Sequence, residues 1–257
     1  VTIPLTSEIL IDSDHIIYGD GKITLDGQGI TRIFHVIPYR GLMLDGLTLK
    51  NGRARNTSAD PEGKGQGGAI FVDVWSGLTV QNVTFLNNKS ESPVECSGGG
   101  AIRLNGFNYA EIFDSSFIGN TAPNGGAINN LTSDLVVRGS LFDSNQATHD
   151  RITLPANYTG CDGGGGAIFI DGASPPSQGG SAFIEIAFST FRNNTTMQSG
   201  GAIFSYLYSD EVMTVDHSVF EGNQAYFSLL PDGSVPSGLG MGGALYWNSE
   251  HTEAARL

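Results

Sequence analysis

Apolar and polar residues alternate along this chain in short bursts that never hold the 3.6-residue period of a helix over a useful length, and the bursts return in register. In GGAIFVDVWSGLTVQNVTFLNN, residues 67–88, Gly-Gly-Ala-Ile opens one apolar run and Phe-x-x-Asn closes another. Gly-Gly-Ala followed by Ile or Leu recurs, ending at Ile70, Ile102, Ile128, Ile168, Ile203 and Leu245. Phe-x-x-Asn recurs at Phe85/Asn88, Phe117/Asn120, Phe142/Asn145, Phe191/Asn194 and Phe220/Asn223. The two motifs take turns, which is the signature of a repeat protein. Successive Gly-Gly-Ala motifs lie 26 to 42 residues apart, too uneven for propeller blades but natural for a coil whose loops vary while its strands stack.

Aligned on the five phenylalanines, the residue five places earlier is always β-branched: Val80, Ile112, Val137, Ile186 or Val215. Seven places earlier stand Leu78, Ala110, Leu135, Ile184 and Met213, so these two columns share the buried face of a strand with period two. Two places before the phenylalanine, Val83, Ser115, Ser140, Ser189 and Ser218 predict a ladder of small hydroxyls at a corner. RGLMLDGLTLKNG fits the same register, with Leu42, Leu44 and Leu49 in the aligned places, and the stretch before it offers more short strands broken by Gly-Asp and Asp-Gly turns. Identical residue types returning in register predict parallel strands stacked about 4.8 Å apart. The expectation is an all-β fold, one parallel β-helix of about eight coils over residues 1–257, with N-terminal coils in 1–60 and Gly-Gly-Ala/Phe-x-x-Asn repeats in 61–257. In it the glycines turn tight corners, Ala fits a crowded one, Ile fills the core, Phe stacks on Phe, and Asn88, Asn120, Asn145, Asn194 and Asn223 form a structural ladder.

Composition narrows the function. Thirteen basic against twenty-six acidic side chains give a net charge of -13, which repels nucleic acid and anionic bilayers and favours neutral glycans or divalent cations. Thirty-six glycines without a collagen period fit many tight turns. No run of about 18 apolar residues could cross a membrane, so direct insertion of this segment is not expected. The opening VTIPLTSEIL lacks the basic end and apolar run of a secretion signal, and the chain reads as an excerpt of a longer protein.

Gly-Gly-Ala-Ile alternating with Phe-x-x-Asn closely resembles the chlamydial polymorphic outer-membrane protein repeat, and the N-terminal LTSEILIDSDHIIYGDGKITLDGQGITRIFHV resembles the opening coils of large secreted bacterial β-helix proteins. The resemblance implies a right-handed, pectate-lyase-like β-helix at a cell surface, outer-membrane-associated in a bacterium, working as an adhesin, autotransporter passenger or structural stalk. It does not imply an enzyme.

The strand after each Gly-Gly-Ala offers the main candidate surface. Its first and third residues read inward, so its second and fourth read outward, which predicts a stripe of Phe71, Asp73, Arg103, Asn105, Phe169, Asp171, Phe204, Tyr206 and Tyr246. Rings stack on pyranose faces and planar polar groups bond hydroxyls, so the stripe suits a glycan, while the same aromatics also stabilise a parallel sheet simply by stacking. A surface protein is the other partner considered. The competing reading is a polysaccharide lyase or glycoside hydrolase, for which Asp73, Arg103 and Asp171 are the nearest approach to a catalytic set. Asp171 falls three coils from Asp73, roughly 14 Å at the stacking repeat, too far for paired carboxylates.

Other features read as structural. Asp12, Asp14, Asp20, Asp26 and Asp45 are rich in oxygen for Ca²⁺ but form no calcium-loop pattern, so turn roles are expected and no cofactor or metal is assigned. His149, Asp150 and Arg151 read as a solvated loop, and the column before each phenylalanine is too mixed for an ice-binding threonine array. Cys96 and Cys161 lie in loops two coils apart, where a disulfide is geometrically possible. Sequons occur at Asn56, Asn82, Asn88, Asn130, Asn157, Asn193 and Asn194, as turn-rich composition produces them, with Asn88 and Asn194 in the ladder.

Overall fold

The computed structural model describes residues 1–55, 65–92, 97–149, 164–208, 210–226, 241–249 and 255–256. The chain winds through three sheets of fourteen, eight and six strands, and every strand pair among the described residues is parallel. One turn shows the path. Ile70–Val72 lies in the eight-stranded sheet, Gly77–Gln81 and Thr84–Leu86 in the fourteen-stranded sheet, and Lys89–Glu91 in the six-stranded sheet. The next turn re-enters the eight-stranded sheet at Ile102–Asn105. This is the parallel β-helix that the periodicity predicts.

The sequence columns are physical columns. Ile70, Ile102, Ile128, Ile168, Ile203 and Leu245 pair one above another. So do the phenylalanines, whose rings stack at 4.6, 4.6, 4.7 and 5.0 Å from Phe85 through Phe117, Phe142 and Phe191 to Phe220. Burying each such ring contributes about 2–3 kcal/mol. At the corner beyond them, Asn88, Asn120, Asn145 and Asn194 each donate Nδ2 to the Oδ1 of the asparagine one coil further on, at 2.8–3.0 Å. The same oxygens accept the backbone N–H of the preceding asparagine. The serine column closes another corner: the Ser115, Ser140, Ser189 and Ser218 hydroxyl oxygens accept the N–H of Val83, Ser115, Ser140 and Ser189. Both ladders satisfy buried corner N–H groups that no strand partner reaches.

Gly-Gly-Ala follows from crowding where the chain enters the eight-stranded sheet. Gly99 has φ +73°, and a Cβ there would lie 2.1 Å from the Ile102 carbonyl oxygen. A Cβ on Gly100 would lie 2.1 Å from the Gly126 carbonyl oxygen of the next coil. Ala101, fully buried, is the largest side chain the following position carries in any repeat.

Candidate functional site

The predicted stripe lies in register but is not an open surface. His35, Phe71, Arg103, Asn129, Phe169, Phe204 and Tyr246 pair in sequence across the eight-stranded sheet. Yet Phe71 is 0 %, Phe169 1 %, Arg103 4 % and Phe204 8 % exposed, so the expectation of solvent-facing rings is corrected. Alternation does turn this column away from the interior: the main core runs through Ile70, Val72, Ile102, Leu104, Ile168 and Ile170 and leaves out Phe71, Phe169 and Phe204. The column forms a second packed layer on the sheet's outer side. Phe169 stacks on Phe204 and Phe204 on Tyr246, each at 5.1 Å, while His35 and the Arg32 guanidinium pack on Phe71 at 5.1 and 5.3 Å.

Asp73, Arg103 and Asp171, the nearest approach to a catalytic set, are held in hydrogen bonds. Arg103 donates to Asn129 Oδ1 and, at 3.5 Å, to Asn105 Oδ1, and Asn105 Nδ2 donates to Asp73 Oδ1 at 3.2 Å. Burial pulls the Arg103 guanidinium down to about 10, against the opposing charge of Asp171. Asp171 accepts the Tyr208 hydroxyl at 2.8 Å. Asp73, Asn105, Asp171 and Tyr206 stay partly exposed, and the structure does not bring Asp73 and Asp171 together.

An open aromatic surface lies one corner away, where the chain leaves the eight-stranded sheet. Tyr39, Trp75 and Phe107 occupy the same place in three successive turns and stack at 5.5 and 5.3 Å. Tyr39 is 65 % and Trp75 40 % exposed. All three are left-handed, with φ of 63°, 54° and 55°. A bulky side chain in that conformation is strained; the corner before the aligned phenylalanines relieves it with Asn82, Asp114 and Gly139 in three coils and carries the stacked Phe188 and His217 in the next two.

The file stops for a reason visible in the register. Asn105 pairs with Leu131 and Tyr109 with Asp134, so Thr132 and Ser133 span what Gly106, Phe107 and Asn108 span one coil earlier. The following coil instead inserts the loop 172–182 between Asp171 and Phe183. A short turn beneath a long loop leaves a cleft of about 490 Å³ lined by Trp75, Phe107, Asn108, Tyr109, Asp134 and the loop residues Ser174 and Gln178–Ser181.

Asp134 fixes that loop. Buried, it accepts the N–H groups of Ser174 at 3.1 Å, Ser181 at 2.7 Å and Phe183 at 3.1 Å, and the Ser181 hydroxyl at 2.8 Å. Glu211, also buried, accepts the Tyr208 N–H at 2.9 Å; burial pushes its carboxyl up. Sequence reasoning passed over these residues. The aromatics did carry a signal, since Tyr39, Trp75 and Phe107 each stand ten places before the aligned Leu49, Phe85 and Phe117.

The remaining candidates resolve locally. Asp14 accepts the Gly41 N–H, Asp26 the Gln28 N–H and Asn51 Nδ2, and Asp45 Asn82 Nδ2, while Asp20 pairs with Lys22 and Asp12 accepts the Ser13 hydroxyl. No group of three or more acidic, His or Cys side chains suited to a metal ion occurs among the described residues. Sequon residues Asn88, Asn130 and Asn194 are buried, whereas Asn82 and Asn193 are exposed. Cys96, Cys161, Asn56, Asn157, Asp150 and Arg151 lie outside the described residues.

The Chlamydia polymorphic membrane protein repeat matches at residues 82–104, 114–131 and 188–206. Each match runs from a Phe-x-x-Asn corner into the next Gly-Gly-Ala strand. No curated protein and no solved structure matches the chain. The repeat points to a surface-exposed, outer-membrane setting. No helix among the described residues is long and apolar enough to cross a membrane.

Proposed function

We propose, starting from a chain built with Chlamydia polymorphic membrane protein repeats, that this solenoid is a surface-displayed recognition module for adhesion, holding a partner on its outer wall without converting it. One observation carries the reading: Tyr39, Trp75 and Phe107 stack in a three-ring file on strained left-handed backbone beside a cleft, with Tyr39 and Trp75 open to solvent. Strain retained at an exposed site, with nothing in the core to require it, argues for a role outside the fold. The competing lyase or hydrolase reading finds less support. Arg103 is buried in a hydrogen-bonded row with Asn129, Asn105 and Asp73, and Asp171 is bonded to Tyr208.

Beads coated with the chain, laid over cultured cells, test adhesion, and parallel assays for new reducing ends and unsaturated products on acidic and neutral polysaccharides test turnover. Retention of the beads without product supports recognition. Product formation abolished by Arg103→Ala would establish the enzyme instead.

A further inference from the structure

We infer that the cleft between the Tyr39–Trp75–Phe107 corner and the loop 172–182 is a binding site for an uncharged oligosaccharide. This rests on the recognition reading above and gives it a place and a ligand class. The cleft's roughly 490 Å³ falls within the range of small-ligand sites, about 300–1,000 Å³.

Its walls differ in kind. On one side, the inner faces of the file cover each other: Tyr39 and Trp75 are parallel to within 2°, Trp75 and Phe107 to within 22°. Phe107 ends the file, because the next turn is one residue shorter and carries Thr132 where another ring would stand. A ring face left uncovered beside a cleft is what the C–H face of a pyranose packs against. On the other side, exposed Gln178 brings an amide that both donates to and accepts from sugar hydroxyls, and exposed Ser181 brings a hydroxyl whose proton is held by Asp134 and whose oxygen accepts.

The cleft's charge selects the ligand class. Among the described residues that line it, the one carboxylate, Asp134, has both oxygens engaged by the loop, and none is Lys or Arg. With a net charge of -13 around it, the site offers a uronate, sulfate or phosphate nothing to pair with, whereas hexose and N-acetylhexosamine units need no counter-charge. The same absence of cations argues against an acidic peptide.

Trp75 supplies the readout, since the chain has two tryptophans and Trp247→Phe leaves Trp75 as the sole tryptophan, excited selectively over the eight tyrosines at the red edge. Neutral hexose and N-acetylhexosamine oligosaccharides, and uronic-acid oligosaccharides beside them, are titrated against this variant. Asn tolerates the left-handed conformation better than an aromatic does, so Phe107→Asn removes the ring while keeping the turn, and its Tm is expected to equal or exceed that of the parent. The expected result is saturable change in Trp75 emission with neutral oligosaccharides only, weakened about tenfold by Phe107→Asn and less by Gln178→Ala. A neutral glycan bound equally by parent and Phe107→Asn, or a preference for uronic-acid chains, overturns the site while recognition stands. Bead adhesion that survives enzymatic removal of cell-surface glycans yet is lost in Phe107→Asn makes the corner a protein-binding surface and overturns the glycan assignment. Absence of both glycan binding and bead adhesion overturns the site and the recognition reading together.

Discussion

Asp134 and Ser181 are joined twice: one carboxylate oxygen of Asp134 accepts both the Ser181 N–H at 2.7 Å and its hydroxyl at 2.8 Å. The other oxygen accepts the N–H groups of Ser174 and Phe183, so a single buried side chain holds the two ends of the loop that walls the cleft. Asp134→Ala strands three N–H donors, and a loss of about 3 kcal/mol is expected. Hydrogen exchange should localise the damage to residues 172–183, with the stacked phenylalanines still protected. Uniform loss of protection along the solenoid would show that Asp134 supports the whole fold and not the loop.

The asparagine ladder should show a gradient along the axis. Asn120 is fully buried, donates to Phe85 O and Asn145 Oδ1, and accepts two bonds from Asn88. Asn223 likewise accepts twice but donates once, to Phe191 O, and it is partly exposed, so water can replace what is removed. Urea unfolding is expected to give about 3 kcal/mol for Asn120→Ala and about 1 kcal/mol for Asn223→Ala. Equal costs would contradict a ladder whose strength comes from burial.

Acid should weaken the N-terminal coils through Glu8. Burial raises its carboxyl, but the hydrogen bond with His35 and the Arg32 charge outweigh that and hold it below the ordinary carboxylate range. A carboxylate depressed in the folded state contributes fully above about pH 5, and the contribution fades as pH falls through the lowered value. Glu8→Gln is therefore expected to cost about 1 kcal/mol at pH 7, reduced for the partial exposure of Glu8, and progressively less as pH falls through the lowered value. Thermal melts across that window check it; a cost that stays constant with pH would remove the ion pair with Arg32 from the account.

Among the described sequons, accessibility divides the set. Asn88, Asn130 and Asn194 have their amides bonded inside the fold, whereas Asn82 and Asn193 stand at exposed left-handed corners. Secretion from a eukaryotic host followed by peptide mass spectrometry should find glycans at Asn82 or Asn193 and none at the other three. Occupancy at Asn130 would mean that this coil forms late or opens readily.

Much of the fold was legible because a solenoid writes its contacts into its sequence. Phe117 meets Phe85 and Phe142 because the repeat places them in one column, and the same logic gave the asparagine and serine ladders. The site was less legible. Alternation says on which side of a strand Phe71, Arg103 and Phe169 lie, and that side is indeed away from the main core, but it carries no information about what packs over them. The aromatic corner was hidden for the opposite reason. Turn chemistry leads a reader to look for Gly, Asn and Asp, and Tyr39, Trp75 and Phe107 break that rule. The cleft depends on unequal turn lengths between neighbouring coils, a relation that emerges only once strand pairing is fixed.

The most direct test of the account compares bead adhesion by the parent chain with that of a Trp75→Asn/Phe107→Asn double variant of matched Tm. Adhesion should fall to that of uncoated beads, because the file is broken where its rings meet the cleft. Undiminished adhesion by a folded double variant would place recognition elsewhere on the solenoid and contradict the claim that this corner is its working surface.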